Sequence, residues 1–433
     1  MKTGTETRAF MNPYVAGVLL GFVLFAAYFL TGTGLGASGG MARVVVAFQD
    51  LVVPGHVDRV AHLVGMAGGD TNPLDHWIVP LTLGALLGGF ASAFFHGRLK
   101  MEVQKGPRIS RGTRLAFAVL GGAFMGFGAR MARGCTSGQA LSGGAVLSVG
   151  SWAFMLAVFA GGYALAYFAR RLWTWPRQEG RNTMAPFALV DILGKAGAYA
   201  IYLLIGVGFG AALEVAGFAN SRKLANQFYL KDMTVLKVMF TAIVTAMVLV
   251  FLASSTGLLA FNEVYVPPTY LWAGISGGLI MGVGFILGGF CPGTSIVALA
   301  SLKVDGFFFF LGTLAGVFLF GETVALFQDF WYAGSMGRYL LPEFLGISTG
   351  MTVLLVVLMA LGAFWMAEKA EATFGEGISD ARFLSVPMKL AGAGGLALVA
   401  LLVMGMGQPT PLEKWANLPE EEKSALEERE VQI

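Results

Sequence analysis

Two cysteines, Cys135 and Cys291, are the only ones among 433 residues, and each ends a glycine-rich run inside a segment that the chain uses twice. The first copy reads GGAFMGFGARMARGCTSGQALSGG from Gly121 to Gly144, and the second reads GGLIMGVGFILGGFCPGTSIVALA from Gly277 to Ala300. An offset of 156 positions pairs Gly121 with Gly277, Gly122 with Gly278, Met125 with Met281, Gly126 with Gly282, Gly128 with Gly284, Cys135 with Cys291 and, further on, Gly150 with Gly306. A lone cysteine is commonly a small buried hydrophobe. Two in register inside a duplicated segment point instead to chemistry at the thiol. A thiol offers a weak S–H donor to a soft sulfur atom without the desolvation cost of a charge, which suits a sulfur-bearing solute. As a thiolate it could also attack such a solute and carry a persulfide, although no general base stands beside either cysteine in the sequence. Two cysteines are too few for a disulfide framework.

The flanking residues say what must position the thiols. Directly after the first cysteine come Thr136, Ser137 and Gly138, and after the second Pro292, Gly293, Thr294 and Ser295, each followed by an apolar run. Ser and Thr cap exposed N–H groups and Pro suits the first helical position, so a helix is predicted to start after each cysteine. Before each cysteine, up to Gly134 in the first copy, closely spaced glycines let a neighbouring helix approach. Each cysteine is therefore expected where one helix breaks and another begins. Free backbone N–H groups and the positive end of a helix dipole make an anion site at such a point, as discontinuous transporter helices do near the membrane midplane.

Arg130 and Arg133 lie just before Cys135, and an arginine inside a membrane segment costs about 2.5 kcal/mol or more. They read as anion-attracting groups or as snorkelling ones; the second copy has Ile286 and Gly289 at the matching positions. Glu214 and Glu322, within or near spans, read as structural partners of arginine or lysine. His56, His62, His76 and His96 fall near loops in no metal-binding spacing and read as surface groups, so neither a metal nor another cofactor is expected.

Composition sets the class. Hydrophobic residues make up 56% and charged residues 13% of the chain, about half the charged share of an ordinary soluble protein. Continuous apolar stretches of about 20 residues recur, each long enough to cross a bilayer as a helix. The expected fold is an all-α integral membrane protein of about 8–10 transmembrane helices with two pseudo-symmetric repeats containing re-entrant or broken helices. Spans are predicted at Asn12 to Thr31, Trp77 to His96, Ser151 to Arg170, Ala196 to Gly217, Thr234 to Gly257, Phe307 to Phe327, Gly346 to Met366 and Val386 to Met406, with the motif copies over Leu115 to Ser148 and Tyr270 to Leu302. Met41 to Val53 is too short to span and reads as interfacial or re-entrant. The membrane domain then covers 1–407, with repeat 1 over about 77–175 and repeat 2 over about 234–330, and 408–433 forms an acidic soluble tail. No apolar stretch near the start is followed by a clean small-residue cleavage site, so the first segment is expected to be retained. The loop from Arg98 to Arg114 carries six basic residues, Arg98, Lys100, Lys105, Arg108, Arg111 and Arg114, against Glu102 alone, which predicts a cytoplasmic position. If each motif returns to its own side the repeats are inverted, and if each is a broken span they are parallel; symmetric access from two sides favours inversion.

GFGARMARGCTSGQALSG and GVGFILGGFCPGTSIVALASLKVDGFFFFLGTLAGVFLFGE resemble the two signature segments of the YeeE/YedE sulfur-transport family, and GVGFGAALEVAGFANSRKLANQFYLKDMTVLKVMFTAIV is similar to a further stretch of it, so the resemblance covers most of the chain between about residues 77 and 330. It implies a multi-pass transporter of the bacterial inner membrane, not an enzyme, that takes up thiosulfate or a related small sulfur anion. Loops dipping to the centre would bring Cys135 and Cys291 to the path, and Gly134, Thr136, Ser137, Gly138, Pro292, Gly293, Thr294 and Ser295 beside them. Some members carry a further cysteine near the first span; this chain has none there. The partners implied are the anion, the lipid bilayer and a cytoplasmic sulfur-carrier protein, with no nucleic acid. A cysteine-dependent sulfur-relay enzyme and a small-anion channel remain the alternatives.

Overall fold

A computed structural model of the protein describes residues 10–374, apart from 54, 70, 105–109, 167–185 and 187–188. In chain order the described helices are α1 (Pro13–Thr31), α2 (Ser38–Val52), α3 (Ala61–Ala67), α4 (Ile78–Phe95), α5 (Arg111–Met131), a π-helix (Thr136–Gly143), α6 (Val149–Ala166), α7 (Leu189–Val215), α8 (Ser221–Asn226), α9 (Thr234–Ser255), α10 (Leu271–Gly288), α11 (Pro292–Ala300), α12 (Val304–Thr323), α13 (Gln328–Tyr332), α14 (Leu341–Leu345) and α15 (Thr349–Phe374). Among the described residues eight stretches are long and apolar enough to cross a membrane, and a shorter apolar one, Val149–Ala164, lies in α6. This is the predicted all-α membrane architecture. Local signals set the ends: the Asn12 side chain accepts from the Tyr14 N–H at 3.0 Å, Pro13 opens α1, and Gly32 closes it in a left-handed turn. The Val386 to Met406 span, the RRLWTWPRQ stretch, Lys105, Arg108 and the 408–433 tail lie outside the described residues.

The two copies are inverted. Helices α5 and α10 hold equivalent positions in them and cross antiparallel at their glycines. A Cβ on Gly121 would lie 2.3 Å from the Gly288 nitrogen, and one on Gly128 would lie 2.7 Å from the Gly277 oxygen. No side chain fits there, so the glycine spacing in both motifs is what lets the backbones meet. Around this axis the longest helix pairings occur twice. Helix α12 packs parallel to α5, as α6 does to α10, and α4 packs parallel to α7, as α1 does to α9. Outward faces carry exposed apolar side chains such as Phe22, Phe90, Phe94, Leu204, Leu319 and Trp365, which suit lipid contact.

One end of the bundle carries residues 98–104, and three ion pairs gather there. Glu214 of α7 takes a bidentate grip from Arg98, Nε to Oε1 at 2.7 Å and Nη2 to Oε2 at 2.6 Å, with Glu214 only 1% exposed. Arg114 pairs with buried Asp305 at 2.7 Å, and Lys303 with Glu102 at 2.9 Å. Glu214 is thus the arginine partner that its position predicts. Glu322 is not: at the far end of α12 beside α2 it accepts from Gln49 at 2.7 Å and meets His56 at 2.9 Å, and among the described residues it pairs with neither a lysine nor an arginine.

Candidate functional site

Each motif helix ends in the same reversal. Arg133 and Gly289, at matching motif positions, both hold left-handed backbone, with φ of 55° and 76°. The chain then turns back through an extended cysteine, φ −101° at Cys135 and −111° at Cys291. A non-glycine residue pays about 1–3 kcal/mol for such a conformation. In the first copy an aromatic cage helps hold it: the Arg133 guanidinium lies 3.6 Å from the Tyr270 ring centroid, 3.7 Å from that of Trp331 and 4.8 Å from that of Tyr332.

A helix follows each cysteine. Cys291 is the N-cap of α11, with Pro292 at the first position; the Thr294 hydroxyl accepts from the Cys291 N–H at 2.8 Å, while the Thr294 N–H and hydroxyl reach the Cys291 sulfur at 3.5 and 3.3 Å. After Cys135 the helix is instead a π-helix, Thr136–Gly143. The offset between copies is 156 at the cysteines but 155 at the next helix starts, Val149 and Val304, so the first copy holds one extra residue that the wider π turn accommodates. This corrects the pairing of Gly150 with Gly306: Gly150 stands opposite Asp305.

The two reversals enter from opposite ends and meet. The Cys291 thiol faces the Thr136 hydroxyl and is near enough to Cys135 for the two to interact electrostatically. A Cβ on Gly293 would lie 3.8 Å from the Ser137 hydroxyl, 3.7 Å from the Ala37 Cβ and 3.6 Å from Phe209 Cζ. The Cys135 sulfur sits 3.2 Å from the Ser137 hydroxyl, with the Gly138 N–H also in reach. Both thiols are buried and free. Gly138 and Gly293 differ in kind from the crossing glycines, since a Cβ on Gly138 meets only the Leu35 oxygen, at 3.7 Å. They border room rather than close-packed backbone.

A third wall was not legible as such. The loop between α1 and α2 folds over the π-helix: the Leu35 N–H donates to the Ser142 hydroxyl at 2.8 Å, and the single Ser142 O–H has the carbonyls of Ser137 at 2.9 Å and Leu35 at 3.1 Å as acceptors. It delivers Ser38, 4% exposed, to the surroundings of the Cys135 thiol. The glycine-rich TGTGLGASGG run was the available signal, because Gly34 leaves the space that Ser142 fills. Gln139 is a second such residue. It ties the π-helix to Ala132 at 2.9 Å and accepts from Ser151 at 2.6 Å, and a Cβ on Gly134 would press on it at 2.8 Å. Ser295 donates to the Pro292 carbonyl at 2.8 Å and holds the first turn of α11.

The arrangement presents two thiols, the hydroxyls of Ser38, Thr136, Ser137 and Thr294, and the N-terminal turns of α2, the π-helix and α11. Such donors can hold an anion through hydrogen bonds and a sulfur atom through the thiols. Arg130 and Arg133 are not among the groups at either sulfur: Arg130 Nη2 lies 3.3 Å from His62 Nε2 and Arg133 is in its cage. His62 is accordingly no surface histidine, because its ring packs edge-on against Trp331 and Phe320.

A family model described as "Sulphur transport" matches residues 2–164 and 216–415. Two curated relatives bear the name "Probable transporter YedE". The one from Escherichia coli K12 is 26% identical over 262 residues, 54% of this chain and 60% of the relative. The one from Salmonella typhimurium LT2 is 27% identical over 261 residues, again 54% of this chain and 60% of the relative. The match thus spans less than two thirds of either relative's length.

Proposed function

The chain belongs to the sulphur transport family, and from that premise we propose that it carries thiosulfate or a closely related small sulfur anion across the bacterial inner membrane, through the point where its two re-entrant cysteine turns meet. The observation that carries this reading is the convergence of Cys135 and Cys291 from opposite ends of an inverted pair, with Thr136 of one copy against the thiol of the other. An inverted pair gives the site one approach from each side, the arrangement alternating access requires. The anionic oxygens would take hydroxyl and backbone N–H donors, and the terminal sulfur would lie against the thiols. On this reading the solute passes unchanged, held by the hydroxyls and N–H groups at the two sulfurs, which donate to an anion. A cytoplasmic sulfur-carrier protein would receive the anion.

Uptake of radiolabelled thiosulfate by cells lacking other sulfur importers tests the reading. Cells expressing the protein should accumulate label and grow on thiosulfate as sole sulfur source. Expression at the membrane without either gain would refute it.

A further inference from the structure

Away from the cysteines, the end of the bundle opposite the 98–110 loop gathers three guanidinium groups. Arg43 projects from α2, Arg130 from the last turn of α5, and Arg133 from the turn after it. Arg130 lies within electrostatic reach of both Arg43 and Arg133. Among the described residues none of the three forms an ion pair with a carboxylate. Arg43 donates to the carbonyls of Met66 at 3.2 Å and Pro73 at 3.4 Å. Arg130 faces only the His62 ring nitrogen, and burial, with Arg130 and Arg133 beside it, holds the His62 imidazole down to about 3, so it is neutral and adds a lone pair rather than a charge. Arg133 keeps a buried Nε without a partner inside its aromatic cage. The neighbouring carboxylates are engaged elsewhere, Glu322 by Gln49 and His56, and Asp75 by Lys195 and Tyr199.

Three like charges gathered in partly buried surroundings repel one another and leave donors unused. A counter-anion removes both costs. We propose that Arg43, Arg130 and Arg133 form a second anion site, separate from the thiols, that takes a small divalent oxyanion such as sulfate or thiosulfate before the solute reaches the cysteines. The inference rests on the reading that the cargo is an anion and not on what the thiols do. Arg43 stands five positions after Ser38 on α2, about 7.5 Å along the helix axis, so an anion released here is already close to Cys135. The donors are guanidinium N–H groups, which recognise oxyanion charge and shape without needing sulfur. This site therefore selects by charge, and the cysteine site by chemistry.

Equilibrium binding of radiolabelled sulfate to the purified full chain in detergent tests it. Wild type should bind sulfate saturably and more weakly at raised ionic strength. Arg43→Gln and Arg130→Gln should each weaken binding at least about tenfold, Arg43→Lys and Arg130→Lys should recover most of it, and the Cys135→Ala/Cys291→Ala double variant should bind like wild type. Gel filtration checks that each variant is folded; if a glutamine variant is not, the lysine variant compared at low and high salt takes its place. Absence of saturable sulfate binding in wild type, or glutamine variants that bind as tightly as wild type, would overturn the proposal. Failure of the thiol reading is separate, since it shows only in thiosulfate uptake by the cysteine variants.

Discussion

Arg133 and Gly289 occupy the same turn in two inverted copies and share one left-handed backbone conformation. One copy satisfies the turn with the residue type that adopts it freely. The other uses an arginine clasped by Tyr270, Trp331 and Tyr332, and so places a cation where its counterpart has none.

Gly289→Val should destabilise the protein, because it adds a β-branched side chain at φ 76° with Ser221 Cβ already 3.0 Å from where its Cβ would stand. The expected loss is about 1–3 kcal/mol, read as a lowered midpoint for thermal unfolding in detergent. An unchanged midpoint would mean that the turn relaxes freely.

Gly138→Val and Gly293→Val should behave oppositely. Their nearest neighbours are at ordinary contact distance, 3.7 and 3.6 Å, so stability should move by less than about 1 kcal/mol. The added bulk enters the room beside the thiols, and uptake should fall at least about tenfold. Normal uptake by both would show that the space bordered by these glycines is not the path.

Arg98→Ala should cost about 3–5 kcal/mol, since it strands buried Glu214 without its bidentate partner. Adding Glu214→Leu should recover much of the loss. A single variant as stable as wild type would mean that the buried pair adds nothing net to stability.

The 98–110 loop is proposed to be cytoplasmic. Gln104 is a poor place to probe it, because its side chain accepts from the Ser221 N–H at 2.8 Å. Met101 is 80% exposed, so Met101→Cys in a chain otherwise free of cysteine should react with an impermeant thiol reagent only after cells are opened. Labelling in intact cells would reverse the orientation.

The membrane class, most spans and both helix starts after the cysteines were legible because apolar length and capping residues act locally. The inversion was legible only as a preference, since it depends on how each reversal folds back, and that is fixed by Gly121 meeting Gly288 across two copies. Ser38 and Gln139 escaped because their contacts span about a hundred residues or a π turn that no local pattern announces. Glu322 was assigned to a cation because charge in a span suggests one; its helix register gave it Gln49 and His56 instead.

The most direct measurement is thiosulfate uptake by Cys135→Ala and Cys291→Ala, each checked for membrane insertion and for an unfolding midpoint near that of wild type. Losing one small buried thiol should cost only about 1 kcal/mol, so loss of function can be separated from loss of fold. The account predicts that each variant inserts normally and that uptake is abolished or falls at least about tenfold. Wild-type uptake by both variants would contradict it and leave the cysteines as packing residues.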